Sequence, residues 1–349
     1  MRSDDPWNLM HGFDSLDRSI AQALQIDGRA PFSRIAQVLG VSDQTVARRY
    51  ARLRGSGAVR VLGLPDPLRL GITPWLVRVR CTPDAAGSVA EALARRADTR
   101  WVSLISGGTE ISCMVHGAEP GQGDALLLQK LPRTPRVVQV SAHALLHVFF
   151  GRELSPVSRS GPLGPAELAA LAPEDGRRAD AWQSASEVGD PVPLGPGDLR
   201  LFDALAVDGR APAAELAEAT GWSQTTVRRR MSELRALGAL YFDLDLAAGA
   251  LAPEAMRVGL WLDVEPARLA EVGAAMARHH EVAFVAATTG TANVYASVSC
   301  KDPGSLYRYV TGPVAALPGI RRAETAPVHR NLKGAGPHYA PRRDHPDRA

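Results

Sequence analysis

The chain has 349 residues, of which 45% are hydrophobic and 22% charged, with three cysteines and a formal net charge of +3. This is an ordinary globular composition with room for two to four small domains. The charge is too small to argue for a nucleic-acid partner by itself, so where the charge sits carries the weight.

Residues 1–12 are polar and acidic and read as a flexible leader without the apolar core of a signal peptide. No stretch approaches the roughly 18 apolar residues that span a membrane. Cys81, Cys113 and Cys300 form no C-x-x-C pair, which argues against a zinc site or disulfide framework and fits a reducing setting. A soluble cytoplasmic protein with no membrane partner is the expectation.

From 13 to 62 the pattern predicts three helices: about Asp14 to Gln25, Ser33 to Leu39, and a third capped by Ser42. Gly40-Val41 makes the turn between the last two. In the third helix Val46, Tyr50 and Leu53 recur at i, i+4 and i+7 as one inward stripe. Gln44, Thr45, Arg48 and Arg52 fall on the opposite side. Two helices joined by a tight Gly turn, the second one basic, is the helix-turn-helix pattern.

Residues 72–150 then read as strand, Ala-rich helix, strand, a Gly108-Thr109 turn, strand, a helix near 121–131 and a last strand near 137–149. That order is the ferredoxin-like plan. Residues 151–196 are rich in Pro, Gly and Ser and read as a linker, with a short helix at about 165–171.

The chain then repeats itself. Ile26–Arg60 and Val207–Tyr241 align without gaps, 181 positions apart, and 16 of 35 columns are identical. The second helix-turn-helix spans 197–245, with Ser223 as cap and Val227, Met231 and Leu234 inward. Gln224, Thr225, Thr226, Arg228, Arg229 and Arg230 lie outward or on the flanks. A second ferredoxin-like unit follows at 255–334, with its turn at Gly290-Thr291, and 335–349 read as a disordered tail. The fold class is therefore α+β: two winged-type helix-turn-helix domains and two ferredoxin-like domains in tandem, the two sheets covering each other face to face.

The repeated helix suits duplex DNA. It fits the major groove, where short polar groups at its N-terminus reach base edges and arginines take phosphate or guanine. The candidates are Ser42, Gln44, Thr45, Arg48, Arg49 and Arg52, and Ser223, Gln224, Thr225, Thr226, Arg228, Arg229 and Arg230. A basic helix face also occurs for solvation alone, but two copies that keep Ser, Thr, Arg and Arg in the same columns favour DNA. Glu233 replaces Arg52 in its column, so the second reader is expected to hold phosphate less tightly or to prefer another half-site.

This order of domains, the "DGRAPFSRIAQVLGVSDQTVARRYARLRGSGAVR" segment with its copy, the Gly-Thr turns and "ALPGIRRAETAPVHRNLKG" resemble the Lrp/AsnC family of regulators. The resemblance implies two such subunits fused in one chain, a double-stranded operator as partner, a small effector such as an amino acid, and a homo-oligomer. It places effector binding at Ser106, Gly107, Gly108 and Thr109, and at Thr288, Thr289, Gly290 and Thr291, where backbone N–H groups of a glycine turn can hold a carboxylate. The same turns also read as plain hairpins, and the first copy lacks the closing Leu-Pro-Gly. Siroheme decarboxylases share the architecture and are enzymes, so an enzyme of that kind is the alternative, together with an effector-binding protein without a DNA role. His143 and His147 share a strand face, and His279-His280-Glu281 ends a helix without the H-E-x-x-H spacing. No catalytic set, metal or cofactor is expected.

Overall fold

The computed structural model describes residues 13–116, 125–151, 161–172, 190–246 and 256–336. The expected leader, most of the linker and all but the start of the expected tail lie outside them, as do residues 121–124 of the helix expected near 121–131.

The first helical unit contains α1 (Ser15–Ile26), α2 (Phe32–Leu39) and α3 (Asp43–Gly55), followed by strand β1 (Val59–Pro65). Asp14 starts α1 with a capping box: its carboxylate accepts the Asp17 N–H while the Asp17 carboxylate accepts its own N–H. Gly40, at φ 66°, ends α2 in the left-handed conformation that a side chain would strain. Ile20, Leu24, Ile35, Val46 and Leu53 form the core beneath.

The first ferredoxin-like unit comprises β2 (Trp75–Cys81), α4 (Ala86–Ala94), β3 (Thr99–Ile105), β4 (Glu110–Val115), a π-helical turn at Ala125–Lys130 and β5 (Val137–Phe150). Within the linker, α5 (Pro165–Leu171) forms where Pro at the first helical position favours it. It buries Leu171 against the first helical unit. Arg34 of α2 donates to the Ala170 carbonyl at 2.9 and 3.1 Å and to that of Ala172 at 2.6 Å, closing the C-terminus of α5. The second half repeats the plan with α6 (Pro196–Val207), α7 (Ala213–Thr220), α8 (Gln224–Ala236) and β6 (Leu240–Leu246). Then come β7 (Met256–Val264), α9 (Leu269–Met276), β8 (Val282–Thr288), β9 (Val294–Cys300), α10 (Pro303–Tyr309) with a π-turn at Val310–Val314, and β10 (Ile320–Asn331).

The two sheets do not simply cover each other face to face, as their open faces led us to expect. Their edges join, and the eight strands close into a barrel in the order β10-β3-β4-β2-β5-β8-β9-β7. The cause is the length of the last strand in each half. β5 has 14 residues and β10 has 12. Their first stretches pair within their own sheet, with β2 and β7. Their ends run on into the other half, where Leu145 pairs with Thr288 and Val328 with Ile105. Edge groups that would otherwise face water are thereby satisfied.

The helical units are also joined. β1 and β6 pair antiparallel, and Leu62 lies opposite Asp243, its own counterpart one repeat later. A pseudo-twofold axis therefore passes between these two residues and relates α3 to α8. Hydrophobic residues of both units share one core, including Leu24, Val61, Leu205 and Phe242.

Candidate nucleic-acid interface and effector loops

α3 and α8 start identically. The Ser42 hydroxyl accepts the Thr45 N–H at 3.1 Å and lies 2.9 Å from the Thr45 hydroxyl. Ser223 and Thr226 repeat both distances. Val46, Tyr50 and Leu53, like Val227, Met231 and Leu234, are buried as the spacing required. The caps therefore occupy four of the expected contact residues with holding the helix N-terminus in shape.

The arginines separate into two kinds. Arg49, expected on the DNA side, turns back to α1, where its Nη1 donates to Asp14 at 2.5 Å and to Asp17 at 3.2 Å. Arg230 does the same to Asp198, with Nε at 2.7 Å and Nη2 at 3.0 Å. Asp17 and Asp198 are 1% and 4% exposed. A buried carboxylate needs a cation, and the flank of the recognition helix supplies it. The Arg49 pair is tight enough to hold Asp14 down to about 2, chiefly through the guanidinium hydrogen bond. Burial pushes Asp198 up, but the hydrogen bonds from Arg230 and the Gly195 N–H outweigh it, and the net shift is downward. Arg49 and Arg230 are thus struts from each recognition helix to the first helix of its own unit, α1 for Arg49 and α6 for Arg230, instead of the free DNA-facing groups expected. Arg52 also meets Asp17, while half of its side chain stays exposed.

Arg48 is exposed and carries no ion pair among the described residues. Its counterpart Arg229 is exposed and pairs with Glu233 one turn on at 2.5 Å. Arg228 reaches Gln224 Oε1 at 3.3 Å. Gln44, Gln224 and Thr225 are exposed at the helix starts. So is Asp43, missing from the expected contacts, whose carboxylate accepts the Gln44 N–H at 2.8 Å.

The Asp-Gly-Arg that opens each repeat had no role assigned from sequence. Arg29 donates to the Gly209 and Ala211 carbonyls at 2.6 and 3.2 Å; Arg210 donates to those of Gly28 and Ala30 at 2.7 and 3.0 Å. The two readers are clamped reciprocally. The glycines permit it: a Cβ at Gly209 would lie 2.7 Å from the Leu62 carbonyl carbon. The repetition of these residues at the same spacing was the available signal.

The eight effector-loop residues lie at two different seams of the barrel. In the first loop Ser106, Gly107 and Gly108 all have positive φ, and the space above both glycines is open. Ser106 Oγ lies 3.2 Å from Glu110, and Thr109 Oγ1 donates to the Ser106 carbonyl at 2.9 Å. Glu110 is buried between Arg78 and Arg80, at 2.6 and 2.7 Å. Burial raises its pKa, but the two guanidiniums prevail and hold the carboxyl below its ordinary value. Arg78 also pairs with Glu324 of β10 at 2.8 Å and stacks 4.3 Å from the centre of the Trp261 ring.

The second loop is closed. The Thr289 hydroxyl accepts the Ala144 N–H, and its N–H donates to the Ala144 carbonyl, both at 2.9 Å. His143 Nδ1 sits 2.8 Å from the Thr289 carbonyl and fills the space above Gly290. Thr288 Oγ1 donates to the Ala292 carbonyl, and Thr291 is exposed beside Gly290. Elsewhere, His147 packs edge-on to Phe149, and His279 lies 3.0 Å from the Tyr309 hydroxyl. Burial lowers the pKa of both imidazoles.

Comparison with known proteins agrees with this geometry. The AsnC-type helix-turn-helix domain matches residues 13–54 and 197–235, and the Lrp/AsnC ligand binding domain matches 258–337. An uncharacterised HTH-type transcriptional regulator of Pyrococcus furiosus is 28% identical over 137 residues, 39% of this chain and 93% of that protein. The regulatory protein AsnC of Haemophilus influenzae is 39% identical over 51 residues, 15% of this chain and 34% of that protein. Among solved structures, the siroheme decarboxylase NirDL superposes with a TM-score of 0.61 at 15% identity, covering 93% of this chain and 94% of that one. At that identity the likeness is one of fold. No helix among the described residues is long and apolar enough to cross a membrane. With two AsnC-type helix-turn-helix domains and an Lrp/AsnC ligand-binding domain, the chain is a homologue of the Lrp/AsnC transcriptional regulators in a duplicated form.

Proposed function

We propose that this protein is a cytoplasmic regulator, not an enzyme, that binds an operator in double-stranded DNA through α3 and α8 and responds to a small effector. One observation carries the reading: two capped helices with outward polar and guanidinium groups are related by a pseudo-twofold axis and rest on a shared core. Duplex DNA presents two half-sites by the same kind of symmetry. Gln44, Arg48 and Arg52 are the contacts of the first reader, and Gln224, Thr225, Arg228 and Arg229 those of the second. Ser42, Thr45, Ser223 and Thr226 shape the helix starts that approach the backbone. The first loop, with open space above Gly107 and Gly108 and the Arg80 guanidinium nearby, is the favoured effector site for a small carboxylate such as an amino acid. Chains associate further into a homo-oligomer.

The test is to bind the purified chain to sheared genomic DNA and sequence what it retains, with and without a panel of free amino acids. Discrete sites whose occupancy shifts with one amino acid support the proposal. Uniform retention, or none, rejects the operator-binding reading.

A further inference from the structure

Once the internal bonds of the readers are removed, what remains exposed differs between them. The columns identical in both copies are largely spent on the fold: Ser42/Ser223 and Thr45/Thr226 on the cap, Arg49/Arg230 on the strut. Arg48/Arg229 is the shared outward pair. Around it the outward residues change chemistry. At the first helical position Asp43 faces Gln224, at the second Gln44 faces Thr225, and at the fifth Ala47 faces Arg228.

Resting on the DNA-binding reading above, we propose that the chain reads an asymmetric operator. Its half-sites share the contact made by Arg48 and Arg229 and differ at the bases next to it. A carboxylate can only accept in the major groove, so Asp43 selects a base offering a donor, the cytosine N4 amino group. It also repels phosphate, which keeps the first reader from settling on backbone alone. Gln224 has both a donor and an acceptor and selects adenine through N6 and N7. Arg228, held one turn behind Gln224, brings a fork of donors that fits guanine O6 and N7. A twofold-related pair of identical readers would select a perfect inverted repeat. This pair selects a broken one, with cytosine in the first arm where the second has adenine and guanine.

The experiment is selection from a pool of random duplexes of about 20 base pairs, room for two half-sites one helical turn apart. It uses the full chain and two exchange variants. Asp43→Gln/Gln44→Thr/Ala47→Arg gives the first reader the second one's N-terminal surface, the part proposed to read bases; Gln224→Asp/Thr225→Gln/Arg228→Ala does the reverse, and Arg52 and Glu233, farther along the helices, stay in place. All six positions are exposed or half-buried and outside the caps and struts, and matched melting curves verify that both variants fold. The expected result is a broken inverted repeat for the natural chain and two different perfect ones for the variants. Each variant should prefer its own repeat over the natural motif by about tenfold per changed base. A perfect inverted repeat from the natural chain overturns the proposal. So does a motif that both exchanges leave unchanged. If the natural chain enriches no sequence at all, the operator-binding reading itself fails, and this proposal goes with it.

Discussion

Arg48 and Arg49 are adjacent, yet the helix turns one to solvent and the other onto a buried carboxylate of α1. Their substitutions should separate cleanly. Arg230→Ala leaves Asp198 buried without its cation and should cost about 2 kcal/mol of stability, between the ranges for exposed and buried pairs. The Arg49→Ala change should fall in the same direction, and denaturant titration reads both. Arg48→Ala and Arg229→Ala should leave stability within about 0.5 kcal/mol but reduce the slope of log affinity against log salt by about one each. A slope unchanged by both would remove α3 and α8 from the contact surface. The division was only half legible in the sequence. Helical periodicity places Val46, Tyr50 and Leu53 inward without ambiguity. It cannot tell a flanking arginine that meets phosphate from one that meets Asp17, because that partner lies 32 residues away on another helix. The signal was that Asp17 and Asp198 are themselves one repeat apart, outside the segment whose likeness is most visible.

Among the elements, the strands of the barrel were readable singly and not in combination. Alternation and Gly-Thr turns locate β3, β4, β8 and β9, but nothing in a strand's own pattern names the neighbour at its open edge. The length of "VVQVSAHALLHVFF" was the clue that β5 reaches beyond its own sheet. Just past the end of β10, Lys333 is buried and donates to the Arg96 carbonyl at 2.5 Å. Burial, with Arg100 nearby, lowers its pKa from 10.5 to about 8. The unfolded chain therefore binds a proton that the folded chain has released between about pH 8 and 10.5, so this group adds stability as pH rises through that window. Lys333→Met removes the effect. We expect its stability relative to the natural chain, measured by denaturant titration, to be higher at pH 7.5 than at pH 9.5. An equal difference at both values would show that Lys333 titrates normally.

At the scale of the whole molecule, the reciprocal Arg29 and Arg210 clamps, the β1–β6 pair and both barrel seams tie the halves at four places. A protease site inserted between 173 and 189 should therefore be cleavable without separating the halves. The two fragments should leave a sizing column together and melt in a single transition; elution as two species would show that the linker holds them. The tandem plan itself was plain in the sequence from the 181-residue period. That the repeat was also a record of this embrace was not, since a carbonyl accepting from an arginine leaves no residue-type signature. The exchange of final strands has one more consequence. Ordinary dimeric regulators come apart when scarce, so their occupancy falls faster than their abundance. Here the two readers are covalent and interlocked partners, and a single copy in a cell is already a complete pair. On the operator-binding reading, forming this pair needs no second chain, so the pair itself does not fall apart on dilution, whatever further association the chains undergo.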